Sequence, residues 1–183
     1  ILSSKETIEL MKLRYGDNYC AFSQIINFGD TISLNNVKIS IFPAGHILGS
    51  VQFLIEYKGY KLLISGDYKR SFDLTCKTYE PVKCDTFITE ATFGLPIFNH
   101  PNDKDEAKKI ITSISRNDRS THLIGVYALG KCQRLISLLR YLGYEKTIYL
   151  HGALMKISEY YSNVGVSLGK IEQVSGKNPS ELI

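Results

Sequence analysis

Val51-Gln52-Phe53-Leu54-Ile55-Glu56-Tyr57-Lys58-Gly59-Tyr60-Lys61-Leu62-Leu63-Ile64-Ser65 decides the fold of the first half of the chain. Apolar residues at 51, 53, 55 and 57 alternate with period two, which predicts a strand. Lys58-Gly59 is a tight turn, and Tyr60 to Ser65 runs back through Leu62, Leu63 and Ile64. Outward from this hairpin, Val37 to Ala44 repeats the alternation at Val37, Ile39 and Ile41. Residues 19–57 read as β structure with turns at Asn27–Asp30 and Asn35-Asn36. Upstream, Ser3 or Ser4 caps a predicted helix with Glu6 in its first turn, Ile8, Met11 and Tyr15 on one face, and Gly16 at its end. Downstream, 68–85 reads as a polar loop and Thr86 to Ile88 as a short strand.

After Pro96 and Pro101 the period becomes helical. Ala107, Ile110, Ile111 and Ile114 predict one helix, and Leu135, Leu138, Leu139 and Leu142, closed by Gly143, a second. Leu154, Ile157, Tyr161 and Val164 predict a third, while Thr121–Val126 and Thr147–Leu150 read as strands between them. The expected class is α/β, with α+β character in the N-terminal half and an architectural boundary near 91–101.

The chain has 183 residues, 44% hydrophobic and 22% charged, the make-up of a globular protein able to bury about 70% of its unfolded surface. That excludes disordered, collagen-like and disulfide-framework classes. The net charge of +4 is compatible with a polyanionic partner without identifying one. With a mean hydropathy of -0.07 and no apolar run of membrane-spanning length, no membrane role is expected. Cys20, Cys76, Cys84 and Cys132 form no C-x-x-C pair, and no leader pattern opens the chain, so reduced thiols in a cytoplasmic protein are expected.

Four short stretches carry candidate chemistry. Pro43-Ala44-Gly45-His46-Ile47-Leu48-Gly49-Ser50 and Ser65-Gly66-Asp67-Tyr68 bracket the hairpin, so an antiparallel pair brings His46 and Asp67 to the same open end. Gly45, Gly49 and Gly66 leave room for close approach there. A divalent-metal site, a His–Asp hydrogen bond, and an unremarkable loop histidine beside a turn aspartate all fit this pattern. Thr89-Glu90-Ala91-Thr92-Phe93-Gly94 puts a carboxylate at a strand's carboxyl end, where site residues and turn caps both occur. Tyr127 to Arg134 joins a strand to a helix, so its amides with Lys131 and Arg134 suit a phosphate, or form an ordinary turn with a solvated basic face. Lys58, Lys61, Lys69, Arg70 and Lys77 are a charge excess near Asp67 that would track a nucleic-acid backbone or be simply solvated. Of the other histidines, His151, between a strand and a helix, is the one with a site-like position.

Taken together, Ala44-Gly45-His46 through Gly49-Ser50, Ser65-Gly66-Asp67-Tyr68, Thr89 to Gly94 and the 127–134 segment resemble the metallo-β-lactamase-fold nucleases with a β-CASP domain. The stretch Cys84 to Pro96 is closest to the bacterial ligase-associated DNA exonucleases, often described as mRNA 3′-end processing exonucleases. The resemblance runs from about residue 1 to about 165. It implies part of an αββα metallo-β-lactamase sandwich over 1–92, followed by part of a β-CASP α/β domain over 93–183. It implies His46 and Asp67 as metal ligands, Asp67 bridging two zinc ions, and Asp67 and Glu90 as catalytic residues, Glu90 orienting a site histidine. Lys69, Arg70, Lys131 and Arg134, read from the charge pattern and the strand–helix turn, are the candidate nucleic-acid contacts. The reaction implied is two-metal phosphodiester hydrolysis on single-stranded or end-bearing DNA, with RNA second. A link to an ATP-dependent DNA ligase or helicase is implied through the resemblance alone.

The family's His-x-His-x-Asp-His motif, expected before the helix at 4–14, is not among these residues, and its late β-CASP motifs are expected after residue 183. Two metal ligands are fewer than the three a tight catalytic zinc site needs. The expectation is therefore a central fragment of such a nuclease, inactive in isolation, in DNA repair or RNA processing. The alternative is a non-catalytic remnant or a nucleic-acid-binding piece. Another metallo-β-lactamase-fold hydrolase is disfavoured by the β-CASP motifs, and a nucleotide-binding domain by the lack of a G-x-G-x-x-G or P-loop.

Overall fold

A computed structural model of the chain describes residues 1–174. Contacts divide the chain into two compact units, Ile1–Pro96 and Ile97–Ile183. The first unit runs β1 (Leu2–Ser3), α1 (Lys5–Tyr15), β2 (Gln24–Ile25), β3 (Thr31–Leu34), β4 (Val37–Pro43), β5 (Val51–Tyr57), β6 (Tyr60–Ile64) and β7 (Thr86–Ile88). The second runs α2 (Asp103–Arg116), α3 (Lys131–Tyr141), β8 (Ile148–Leu150), α4 (Gly152–Asn163) and β9 (Ile171–Gln173).

In the first unit the five strands form one sheet in the order β3-β4-β5-β6-β7, with β1 and β2 a separate parallel pair. β3 to β6 pair antiparallel and β7 joins β6 in parallel. The β5–β6 turn needs two left-handed residues, and Lys58 (φ 53 is taken by Asn35 in the preceding turn) and Gly59 supply φ 49 and 84. This fixes Tyr57 opposite Tyr60 and Leu54 opposite Leu63, with Ser40 opposite Leu54 on the other side. Leu54 and Leu63 are buried on that face, and Ile41, Ile8, Leu10 and Ile26 complete the unit's apolar interior. α1 begins where Ser4 Oγ accepts from the Thr7 amide and ends at Gly16, whose amide donates to Lys12 O.

In the second unit, Asn102 caps α2, with three acidic residues in the first turn. α3 buries Cys132, Ile136, Leu138 and Leu139, and α4 buries Ile157 and Tyr161. β8 and β9 pair in parallel. Gln133, fully buried, donates to Ala128 O at 3.0 Å and Ser158 Oγ at 2.9 Å and accepts from the Gly130 amide, tying α3 to α4.

Three expectations change. Thr121–Val126 is not a strand: among the described residues it has no ladder partner, and Leu123 is 92% exposed. Extended chain becomes sheet only by pairing. Val164 is the α4 C-cap and exposed, so it does not extend the buried stripe. β9 was not anticipated, because Ile171-Glu172-Gln173 is too short to show a period. No helix among the described residues is long and apolar enough to cross a membrane.

Leu63, at 2% exposure, has little room to relax around a truncated side chain. Leu63→Ala is expected to destabilise the first unit by about 3 kcal/mol, read as a fall in the urea midpoint.

Candidate functional site

β4 delivers the chain to Pro43 and β5 takes it up again at Val51. The seven residues between, 44–50, form a turn that folds on itself: the Ala44 amide donates to Ser50 O and the Ser50 amide to Ile47 O, each at 3.0 Å. Ser50 Oγ accepts from the amides of His46 and Ile47 at 3.0 and 3.2 Å, which sets the backbone direction at His46. The turn is then clamped from outside. Ser4 Oγ and Thr7 Oγ1, at the start of α1, donate to Gly49 O at 2.6 and 2.8 Å. Gly49 sits at φ 76, and a Cβ there would lie 2.6 Å from Glu6 Cβ, so glycine is required for the helix to dock this closely.

β6 ends at Ile64, and Asp67 follows after Ser65-Gly66. The antiparallel hairpin therefore brings its carboxylate to the His46 turn: His46 Nε2 and Asp67 Oδ2 lie 3.9 Å apart, with side chains 43% and 72% exposed. Glu90 follows β7 at the same end of the sheet. Its carboxylate accepts from the Thr92 amide at 2.7 Å, which holds it below the ordinary glutamate range, and the charge of His46 acts in the same direction. A nitrogen and an oxygen donor, close and solvent-facing, are of the kind a divalent cation takes. Among the described residues, no group of three or more His, Cys, Asp or Glu side chains is arranged to hold a metal ion. His46 and Asp67 thus fit as part of a ligand set.

The basic residues divide. Lys69 is not displayed to a polyanion: its ammonium is paired with Asp73, and the two side chains are only 16% and 1% exposed. Asp73 also accepts from the Thr75 amide at 2.8 Å and the Thr75 hydroxyl at 2.6 Å. Burial alone would raise its carboxyl; the Lys69 ammonium and the two Thr75 hydrogen bonds outweigh burial and hold it below the ordinary aspartate range. Arg70 is exposed. In the second unit, Arg134 pairs with Asp103 at 2.8 Å, and Lys131 lies 4.8 Å from the Tyr127 ring centre. The amides of Gly130, Lys131 and Cys132 already donate to Gln133 Oε1, Leu129 O and Tyr127 O. Those three amides are therefore engaged within the turn itself. His151 caps α4, its Nδ1 accepting from the Ala153 amide at 3.3 Å.

The residue sequence reasoning missed is Asp73. Its signal was present: an Asp two positions before a Thr, whose amide it accepts, and four after a Lys. Because Asp73 is depressed in the folded state, its contribution to stability is complete above the unfolded value of about 3.9 and is lost as pH falls through the folded value below it. Asp73→Asn is expected to lower the urea midpoint strongly at about pH 6. The gap from the unsubstituted chain narrows as pH falls below the ordinary aspartate range and through the depressed folded value, beneath which both carry an uncharged side chain.

No protein-family model matches the chain. The endoribonuclease ysh1 of Aspergillus fumigatus is 38% identical over 144 residues, 75% of this chain and 16% of that protein. The cleavage and polyadenylation specificity factor subunit 3 of Dictyostelium discoideum is 34% identical over 120 residues, 62% of this chain and 15% of that protein. The cleavage and polyadenylation specificity factor 73 of Drosophila melanogaster is 33% identical over 118 residues, 63% and 17%. The chain therefore spans about a sixth of the length of these relatives. Among solved structures, a protein of unknown function from Enterococcus faecalis V583 matches with a TM-score of 0.62 at 13% identity, over all of this chain and 47% of that one, a likeness of fold. With the mixed α/β architecture and these relatives together, the chain belongs to the metallo-β-lactamase-fold β-CASP nucleases.

Proposed function

We propose that this chain is a segment of a metal-dependent phosphodiesterase acting on RNA, and that His46 and Asp67 are its contribution to the metal centre. The observation that carries the reading is the 3.9 Å approach of His46 Nε2 to Asp67 Oδ2, both solvent-facing, at the open end of the hairpin. Zinc–nitrogen and zinc–oxygen bonds of about 2.1 Å put both donors within reach of one ion after a small closure. When bound, such an ion supplies Lewis-acid polarisation of a phosphodiester. The chain's own groups hold and orient: His46 through a ring nitrogen and Asp67 through a carboxylate, with the Glu90 carboxylate, fixed by the Thr92 amide, at the same end of the sheet. Residues 1–92 then act as the metallo-β-lactamase portion and 93–183 as the β-CASP portion. Arg70 and Lys131 are exposed side chains suited to a nucleic-acid backbone, and Arg134, paired with Asp103, would have to exchange that partner to join them.

The names of the relatives, endoribonuclease and cleavage and polyadenylation specificity factor, support RNA and internal cleavage. They carry no counterpart of DNA repair, of exonuclease action, or of a ligase or helicase partner. Cys20, Cys76, Cys84 and Cys132 form no disulfide among the described residues, which suits a reducing compartment such as the cytoplasm.

Two ligands give a weak site, so on its own this chain is expected to be non-catalytic. After desalting, it should retain well under one equivalent of zinc or manganese and leave labelled single-stranded RNA and DNA intact. Added zinc should still bind in the wild type and not in Asp67→Ala, measured by calorimetry. Retained metal with RNA cut, both lost in Asp67→Ala, would mean that further groups complete the centre. Cleavage of DNA in place of RNA would reassign the substrate. Zinc binding identical in Asp67→Ala would remove His46 and Asp67 from the metal site.

A further inference from the structure

The two faces of the five-stranded sheet are unequal, and the register fixes which residues share each. Ser40, Leu54 and Leu63 stand opposite one another on one face, with Gln52 two positions along β5 from Leu54. All four are buried. The strap from 67 to 80 reaches this face, where Gln52 Nε2 donates to Glu80 O at 2.8 Å. Towards the β5–β6 turn the same face carries charge, with Lys38, Glu56 and Lys61 in one row.

The opposite face is the more apolar. Ile32, Ile39, Ile55 and Leu62 form its central row. Phe53, Ile64 and Ile88 flank that row on one side, and Val37, Tyr57 and Tyr60 on the other. No strand position on this face is charged. It is nevertheless the less covered of the two. The central row is only half-buried, and Tyr57, Tyr60 and Ile88 are 46%, 55% and 51% exposed. Ile41 and Pro43, at one corner, are its buried positions. A sheet with one solvated face ordinarily turns its polar side to water. Here Ser40 and Gln52 are buried while a continuous apolar face meets solvent, and such a patch marks a contact surface.

Its size and chemistry select the occupant. Five strands about 4.8 Å apart, carrying rows about 7 Å apart, give a face of about 20 by 20 Å. A single helix, about 10 Å across, covers half of that width. A second face of the same dimensions covers all of it and, with side-chain relief counted, buries roughly 1,200 Å² in total, the lower end of a specific interface. Because the face is uncharged, it meets its own copy without like-charge contact, and interfaces between identical chains are the more apolar class. We propose that this face is the contact between two copies of the chain, packed sheet on sheet as an isologous pair. Ile55, in the central row, lies near the middle of the contact, and Tyr57 and Tyr60 lie towards its rim. His46 and Asp67 lie beyond the strand ends and take no part in it.

The test is sedimentation of the full chain over a range of concentrations. The wild type should approach twice the 20.7 kDa chain mass and return to 20.7 kDa on dilution. Ile55→Lys places a charge at the centre of the face, while in the monomer its stem can lie along the sheet with the ammonium in water. It should raise the dissociation constant about 30-fold or more. Tyr57→Ser, nearer the rim, should raise it about tenfold, and it serves where Ile55→Lys does not fold. Lys38→Ala, on the charged face, should stay within about threefold. In a mixture of isotope-labelled and unlabelled copies, nuclear Overhauser contacts should join the Ile55 methyl groups to the other copy. A wild type that stays at 20.7 kDa and binds a hydrophobic dye would overturn the proposal, since the face would then be open to a different occupant. So would a dimer that survives both Ile55→Lys and Tyr57→Ser, which would place association on another surface. A ladder of species larger than a dimer would overturn it too, by placing association at the free sheet edges.

Discussion

The two left-handed residues at Lys58 and Gly59 set the register on which the first unit depends. A two-residue turn of this kind matches the twist of its flanking strands and leaves only one pairing, Tyr57 against Tyr60. A slip of one residue would turn Leu54 and Leu63 outward and expose the face they bury. It would also carry Asp67 along the sheet by about 3.3 Å, away from the His46 turn. The core and the candidate site are thus specified by the same hydrogen-bond ladder, one through the faces of the hairpin and the other through its open end.

Around that open end, the organising feature is what happens to backbone carbonyls. Pro43, Ala44 and Gly49 lie where the chain leaves one strand and enters the next, so ladder partners are not available to all of them. Each is met by a group from elsewhere: Gln52 and the Glu80 amide at Pro43, the Lys69 amide at Ala44, and the Ser4 and Thr7 hydroxyls at Gly49. Irregular backbone is stable when its polar groups are satisfied in this way. His46 is consequently a rigidly mounted histidine although its side chain faces solvent.

Periodic elements were legible in the sequence, and their contacts were legible only where topology forced them. The hairpin, α1 and the three later helices followed from period and caps. The meeting of His46 with Asp67 followed from the hairpin alone, because the two ends of an antiparallel pair have nowhere else to go. Lys69 shows the limit. A lysine in a polar loop reads as solvated, and its burial depends on how the loop folds back over the sheet, which no period encodes. Asp73-Leu74-Thr75 carried a turn signal that pointed to local structure and said nothing of the partner charge. Thr121–Val126 erred in the other direction: its apolar run is strand-like, but a strand exists only with a neighbour.

The strap from 67 to 80 has a consequence for how its length can vary. It is pinned near both ends, at Ala44 through Lys69 and at Pro43 through Glu80, and further on the Asp85 amide and carboxylate bond Lys61 across the entry to β7. Adding or deleting a residue between 70 and 79 would pull one pin out of register with the other. The length of the chain between these pins is therefore coupled to the placement of Asp67 beside the sheet.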